Sequence, residues 1–301
     1  MPSRRFFLKS LVGSAAALLG TGAYAFGIEP AFRLRVQRYA LVPRGWPAGL
    51  NLRVAVLADL HAGEPHMPVS RVEEIVAAAN GLGADVIVVL GDYLAGHRFM
   101  TRRVGMIEIT PALAQLQAPL GVFSILGNHD WWDDPVAQRE RKGPTVAART
   151  LREAAIPVLE NEVVRLEKHG QGAWLAGLGD QLAFVLGPRR FQGVDDLPGT
   201  LAKVGDDAPV ILLAHEPDVF PNVPERVALT LSGHTHGGQV RLLGYSPLVP
   251  SQYGNRYAYG HVVEEGRHLI VSGGLGTSIL PVRFGVPPEI VLVELGAGFT
   301  A

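Results

Sequence analysis

LRVAVLADLH, residues 52–61, is an apolar run that ends abruptly in two polar residues, Asp59 and His61. Apolar residues at both odd and even positions mark a strand covered on both faces, and such a strand delivers its polar side chains at its tip. The same design recurs along the chain in DVIVVLGD (85–92), GVFSILGNHD (121–130), PVILLAHEP (209–217) and RVALTLSGHTH (226–236). WLAGLG (174–179), HLIVSGGLG (268–276) and the closing EIVLVEL (289–295) supply further buried strands.

Helices fall between the early strands. SRVEEIVAAANGLG (70–83) carries an apolar stripe of Val72, Ile75, Val76 and Ala79, and Ser70 with Glu73 has the spacing of a capping box. Pro144 is placed to open a helix through TVAARTLREAA, with Pro157 after its end. Strand–helix alternation in the first half points to an α/β fold, and the strand-rich second half argues against one doubly wound parallel sheet. The expected architecture is two packed sheets flanked by helices.

Composition narrows the partners and the chemistry. The chain has 301 residues, 48% hydrophobic and 18% charged, with a formal net charge of −1, which suits one sizeable core and gives no electrostatic case for an obligatory nucleic-acid partner. It has no cysteine, so any metal site must use His, Asp, Glu or Asn. At the N-terminus, SRRFFLK (3–9) has the form of a twin-arginine export signal, and an apolar stretch runs from Leu11 to Ile28. Ala23-Tyr24-Ala25 has the small-x-small form of a signal-peptidase site, although the stretch is also nearly long enough to span a bilayer. Residues 1–29 are therefore expected to be a twin-arginine signal peptide or an N-terminal membrane anchor, and residues 30–301 the folded domain. The expected location is the periplasm or the outer face of the cytoplasmic membrane, reached through the twin-arginine translocon.

The polar tips share one theme. Asp59 and His61, Asp92, Asn128-His129-Asp130, His215, and His234 with His236 all follow apolar strands, where layered α/β folds assemble ligand sites. Each motif alone has a plain structural reading: a turn, a helix cap or a hydrogen-bonded core histidine. Together they describe a metal site built from distant segments. GHTH (233–236) is the strongest element, and its glycines leave room for a close approach.

These motifs, with LSGHTHGGQVRL (231–242) and GGLGTSILPVRFGVPPEIVLVEL (273–295), resemble the calcineurin-like metallophosphoesterases, in particular the bacterial, often exported branch that includes YkuE and YaeI. The resemblance covers the chain from Leu52 onward. GDYLAG and GNHD stand where the serine/threonine protein phosphatases carry Asp-Arg-Gly and Gly-Asn-His-Glu, which argues against protein dephosphorylation. The resemblance implies a four-layer α/β/β/α sandwich with two divalent ions, Mn²⁺, Fe or Zn²⁺. It implies that Asp59, His61 and His236 hold one ion, that Asn128, His215 and His234 hold the other, and that Asp92 bridges them. His129 would donate a proton to the leaving group.

The implied reaction is attack of a metal-activated hydroxide on a phosphate ester of an envelope, lipid or nucleotide substrate. Alternatives are a non-catalytic metal-binding envelope scaffold, or nucleic acid or a UDP-diacylglucosamine-type precursor as substrate. Three further features are read as candidates for the site's rim: Trp131-Trp132, with one ring packed inside; Arg189-Arg190, as a second phosphate contact; and YGNRYAYG (253–260). For each, packing or plain surface is the competing reading.

Overall fold

The computed structural model describes residues 4–299; residues 1–3, which head the export-signal reading, and residues 300–301, which end the expected domain, lie outside it. In chain order the strands of the two large sheets are β1 (Arg35–Leu41), β2 (Leu52–Leu57), β3 (Val86–Val89), β4 (Val122–Ser124), β5 (Glu162–Lys168), β6 (Gln171–Gly177), β7 (Val210–Leu213), β8 (Val227–Ser232), β9 (Gly260–Glu264), β10 (Arg267–Val271) and β11 (Glu289–Leu295). The first sheet runs β1-β11-β2-β3-β4 and the second β9-β10-β8-β7-β6-β5. Both are mixed. The pair β11/β2 is antiparallel in the first, as are β5/β6 and β9/β10 in the second.

The continuous apolar runs are explained by burial on two sides. Along β2, Val54 and Val56 face the second sheet and join a core with Leu213, Leu229 and Leu231, while Ala55 and Leu57 face the helices. Those helices, Val69–Asn80, Met106–Leu113 and Val146–Glu153, cover the outer face of the first sheet. On the second sheet the cover is thinner: the short helix Leu197–Ala202 and the 3₁₀ turns Pro217–Asn222 and Gly254–Tyr257 pack on Val210, Leu212 and Leu269. The result is two mixed sheets flanked by helices, as expected.

Two local details differ from expectation. The first of these helices begins at Val69 with Pro68 at its N-cap, so Ser70 lies inside the first turn and caps nothing; proline's fixed φ has set the start ahead of it. The later helix is opened by Thr145, whose side chain accepts from the Ala148 N–H, and Pro144 stands one residue outside.

Register brings the polar tips to one edge. Val54–Leu57 lie beside Val86–Val89, and Val89 beside Ser124, so residues 58–61, 90–93 and 125–130 emerge together. In the second sheet Leu213 pairs with Leu231, which brings out His215 next to the 232–236 loop. The N-terminal helix Arg4–Ala23 continues through a π-turn to Phe32, and its span Lys9–Phe32 is long and apolar enough to cross a membrane, with little of it buried.

Candidate metal centre

Strand ends that turn sharply carry the site. Asp59, His61, Asp92, His234 and His236 all adopt positive φ, from 42° to 67°. Asp, Asn and His tolerate this region better than bulky residues, yet five in one cluster mark a backbone held in strain by its surroundings. The tight turns aim all five side chains inward.

Two triads result: Asp59, His61 and His236, and Asp92, His215 and His234, with the ligand atoms of each within 4.8 Å of one another. Asp92 sits where the triads meet. Its Oδ2 lies 3.4 Å from His61 Nε2 and 3.2 Å from His215 Nε2. His61 and His236 approach at 3.1 Å through their Nε2 atoms, and Asn128 Oδ1 lies 2.8 Å from His234 Nδ1. His215 Nδ1 donates to the Leu90 carbonyl at 2.6 Å and His61 Nδ1 to the Leu94 carbonyl at 3.2 Å, which leaves each Nε2 with its lone pair toward the cluster.

The two carboxyls are pushed apart. Burial raises Asp59, with His215 opposing and Asp92 adding to the rise. For Asp92 burial also acts upward, but the charges of His215 and His129 outweigh it and hold the group well below the usual carboxylate range. Burial lowers His234 to about 3, helped by His215, and drives His236 well below its ordinary value, with His61 and Arg283 adding to it. These imidazoles are neutral, the form that ligates a cation.

The donor set fits a pair of divalent ions. Asp59 Oδ2 and His215 Nε2 are buried with no hydrogen-bond partner, which is costly unless something else satisfies them. Oxygen and imidazole donors without thiolate suit Mn²⁺, Fe or Zn²⁺. The backbone approaches closely on two sides. A Cβ on Gly233 would lie 2.7 Å from Asp59 Oδ2, and one on Gly127 would lie 2.7 Å from His215 Nδ1. Gly237 instead faces Val286 and Tyr259, so only the first glycine of the GHTHG run makes room at the cluster.

With this geometry in place, comparison with known proteins is direct. The profile of the calcineurin-like phosphoesterases matches residues 52–238. The chain belongs to that family. Bacillus subtilis (strain 168) metallophosphoesterase YkuE is 30% identical over 97% of this chain and 97% of its own. An Aquifex aeolicus (strain VF5) metallophosphoesterase is 32% identical over 91% of this chain and 95% of its own. Escherichia coli (strain K12) phosphodiesterase YaeI is 29% identical over 98% of this chain and 100% of its own. The protein is thus a metal-dependent phosphoric ester hydrolase.

Around this phosphoesterase centre, His129 stands at the mouth. Its backbone N–H donates to Asp92 Oδ1 at 2.8 Å, and its ring packs edge-on against His61 with centroids 5.0 Å apart. Nδ1 lies 3.4 Å from Asp133 Oδ2, and Nε2 3.4 Å from Ser278 Oγ. Burial would lower its pKa, but Asp92 and Asp133 win and raise it. Asp130, adjacent in sequence, points the other way: its carboxylate accepts from the N–H groups of Asp92, Tyr93 and Gly127 and ties two motif loops together. An open cleft of about 390 Å³ above His129 is bordered by His97, Arg98, Phe99, Ser278, Ile279 and Leu280.

The rim candidates divide. Trp131 is buried against Phe184, while Trp132 stands 5.4 Å from the His129 ring and stacks on Phe191 at 5.2 Å. Arg189 and Arg190 are exposed on the tip of the hairpin that carries Phe191, so that hairpin reaches the site through its aromatic residue. The 253–260 segment packs behind the GHTH loop, where the Ala258 carbonyl accepts from Thr235 Oγ1 at 2.7 Å.

Sequence reasoning passed over three residues: Asp133, Ser278 and Arg283. Asp133 follows His129 by four positions, the spacing that faces side chains together on a helix. Arg283 is fully buried; it donates to the Gly273, Gly276 and Val286 carbonyls and lies 3.3 Å from His236 Nδ1. Its one available signal was an arginine inside an otherwise apolar closing segment.

Proposed function

We propose that the protein is a dinuclear phosphodiesterase or pyrophosphatase-type hydrolase of envelope, lipid or nucleotide phosphate esters. Asp59, His61 and His236 would hold one ion, Asn128, His215 and His234 the other, and Asp92 would serve both. The observation that carries this reading is the convergence of the two triads on Asp92, with Asp59 Oδ2 and His215 Nε2 left unpaired for a cation. Two bound divalent ions supply Lewis acidity and a water of lowered pKa. The chain's own part is to place the phosphate in the cleft and to protonate the leaving oxygen from His129, which Asp133 orients.

Export by the twin-arginine route to the outer face of the cytoplasmic membrane follows from Arg4-Arg5 and the apolar helix behind them. The anchor reading of that helix is favoured over removal, because Ala25 is buried and its carbonyl accepts from the Arg283 N–H at 2.9 Å, while Glu29 accepts from the Val286 N–H at 2.9 Å.

The test is hydrolysis of bis-p-nitrophenyl phosphate with and without Mn²⁺, beside p-nitrophenyl phosphate. Metal-stimulated turnover of the diester above the monoester is expected. No metal-stimulated turnover of either compound returns the protein to the scaffold alternative.

A further inference from the structure

The cleft over His129 opens at the same end of the molecule where the N-terminal helix meets the body. Tyr24 packs edge-on against Phe284 with centroids 6.2 Å apart, and the Phe26 carbonyl accepts from His66 Nε2 at 2.8 Å. Both partners belong to loops at the strand tips: His66 follows the Asp59–His61 tip, and Phe284 follows Arg283, which contacts His236. An apolar helix fit to cross a bilayer therefore leaves the body beside the mouth of the site.

The loops around that mouth are apolar where soluble proteins are usually polar. Leu242 and Tyr245 close a tight turn through two backbone bonds of 2.9 Å, with Leu243 at φ 49° and Gly244 at φ 83°. That turn type takes Asn or Gly at its first central position; a leucine there adds backbone strain and, in this turn, a fully exposed side chain. Leu248, Ile279 and Leu280 are exposed alongside it. The two loops form one surface, since Gln239 Nε2 donates to the Leu280 carbonyl at 3.0 Å and Arg241 N–H to the Phe284 carbonyl at 2.8 Å. Phe99 is exposed on the other side of the cleft. Single exposed leucines are ordinary, but a continuous apolar rim with its most exposed residue in a strained backbone is not.

Charge selects the occupant. The rim segments 95–100, 239–248 and 276–287 contain the exposed Arg98, the half-buried Arg241 and the fully buried Arg283, and not one Asp or Glu, in a chain with 28 acidic and 27 basic residues. Apolar side chains with an exposed arginine suit the headgroup layer of an anionic bilayer, and the part-exposed Asp133 carboxylate at the mouth is engaged with His129.

We infer that this rim seats on the membrane that the N-terminal helix enters, with the His129 cleft opening onto the headgroup layer, so that the phosphate ester hydrolysed belongs to a lipid. The substrate half of this inference rests on the phosphoesterase reading above; the seating does not.

The chain's lack of cysteine makes the test clean. Full-length Leu243→Cys, Leu248→Cys and Ile279→Cys, each with one nitroxide label, are reconstituted in vesicles of phosphatidylethanolamine and phosphatidylglycerol. Glu167→Cys is the control, at the far end of β5 where neighbouring Lys168 bonds the Asn51 carbonyl at the start of β2. The rim labels are expected to collide with oxygen more than with a water-soluble nickel chelate, and the control the reverse. Rim labels that read as water-exposed as the control overturn the seating.

Turnover of bis-p-nitrophenyl phosphate by the same preparations checks the phosphoesterase reading separately. In a second arm, Leu243→Asp is expected to slow hydrolysis of hexadecyl p-nitrophenyl phosphate in vesicles several-fold and leave the soluble diester unchanged. An equal effect on both compounds overturns the lipid assignment.

Discussion

The two sheets are built alike and contribute unlike chemistry. β2, β3 and β4 deliver both carboxylates and the amide, Asp59, Asp92 and Asn128, together with His61 and His129. β7 and β8 deliver imidazoles alone, His215, His234 and His236. Apolar patterning fixes where each strand ends, but it says nothing about which donor stands there. One wall of the site thus concentrates the carboxylates, and the other carries only imidazoles, with Asp92 raising the His215 pKa against its burial. The walls touch at several points, His61 with His236 and Asn128 with His234 among them, and Asp92 of the first sheet contacts imidazoles from both. Donors of both kinds face each other across the sheet interface, and the proposed pair of cations draws on both, since one sheet alone offers half of the set.

Removing the shared residue is the most severe way to break this arrangement. Asp92→Asn keeps the shape and removes the charge, so both ions are expected to be lost, with activity falling by more than the ~10⁴-fold that one acid–base group is worth. Metal analysis by mass spectrometry checks it: loss of one ion alone contradicts the shared position. His129→Ala sharpens the contrast from the other side, because His129 sits on the carboxylate-bearing wall without belonging to either triad. Both ions are expected to remain, with kcat on phenyl methyl phosphate, whose leaving group needs a proton, lower by roughly 10²–10⁴-fold. Full activity in that variant removes His129 from the reaction.

How far the sequence carries differs between the walls and their supports. Eight of the eleven strands were legible because burial on both faces leaves an unbroken apolar run, whereas β1, β5 and β9, only partly buried, leave no such run; Asp59, His61, Asp92, Asn128, His215, His234 and His236 stood out as candidates because each follows an unbroken run. The helix start at Val69 was misread since Ser70 and Glu73 have cap spacing, and nothing local shows that Pro68 has already set the first turn. Arg283 was illegible for a different reason. An arginine reads as surface, and its burial depends on carbonyls of the 273–276 turn and Val286 that only the tertiary fold brings around it. Leu243 was likewise an ordinary apolar residue until its exposure and left-handed backbone were seen together. Short-range pattern reports burial and termination; it does not report what long-range contacts converge on a side chain.

Asp133 separates positioning from reaction on the same wall, and its effect is the smallest of these. Its carboxylate lies 3.4 Å from His129 Nδ1, is part-exposed, and belongs to neither triad. In the proposed mechanism it acts through His129 by holding the ring with Nδ1–H toward it, so that Nε2 faces the cleft. Asp133→Asn is expected to lower kcat by about 10-fold, near the bottom of the range for such supporting carboxylates, with metal content unchanged. The loss should depend on the leaving group. An aryl oxide as stable as p-nitrophenolate hardly needs a proton, whereas phenolate does, so the variant should steepen the fall of kcat along aryl methyl phosphates of rising leaving-group pKa. KM should stay constant along the series. A merely structural defect slows every ester in the series by the same factor, and that result would assign Asp133 to the fold instead of to the proton that His129 delivers.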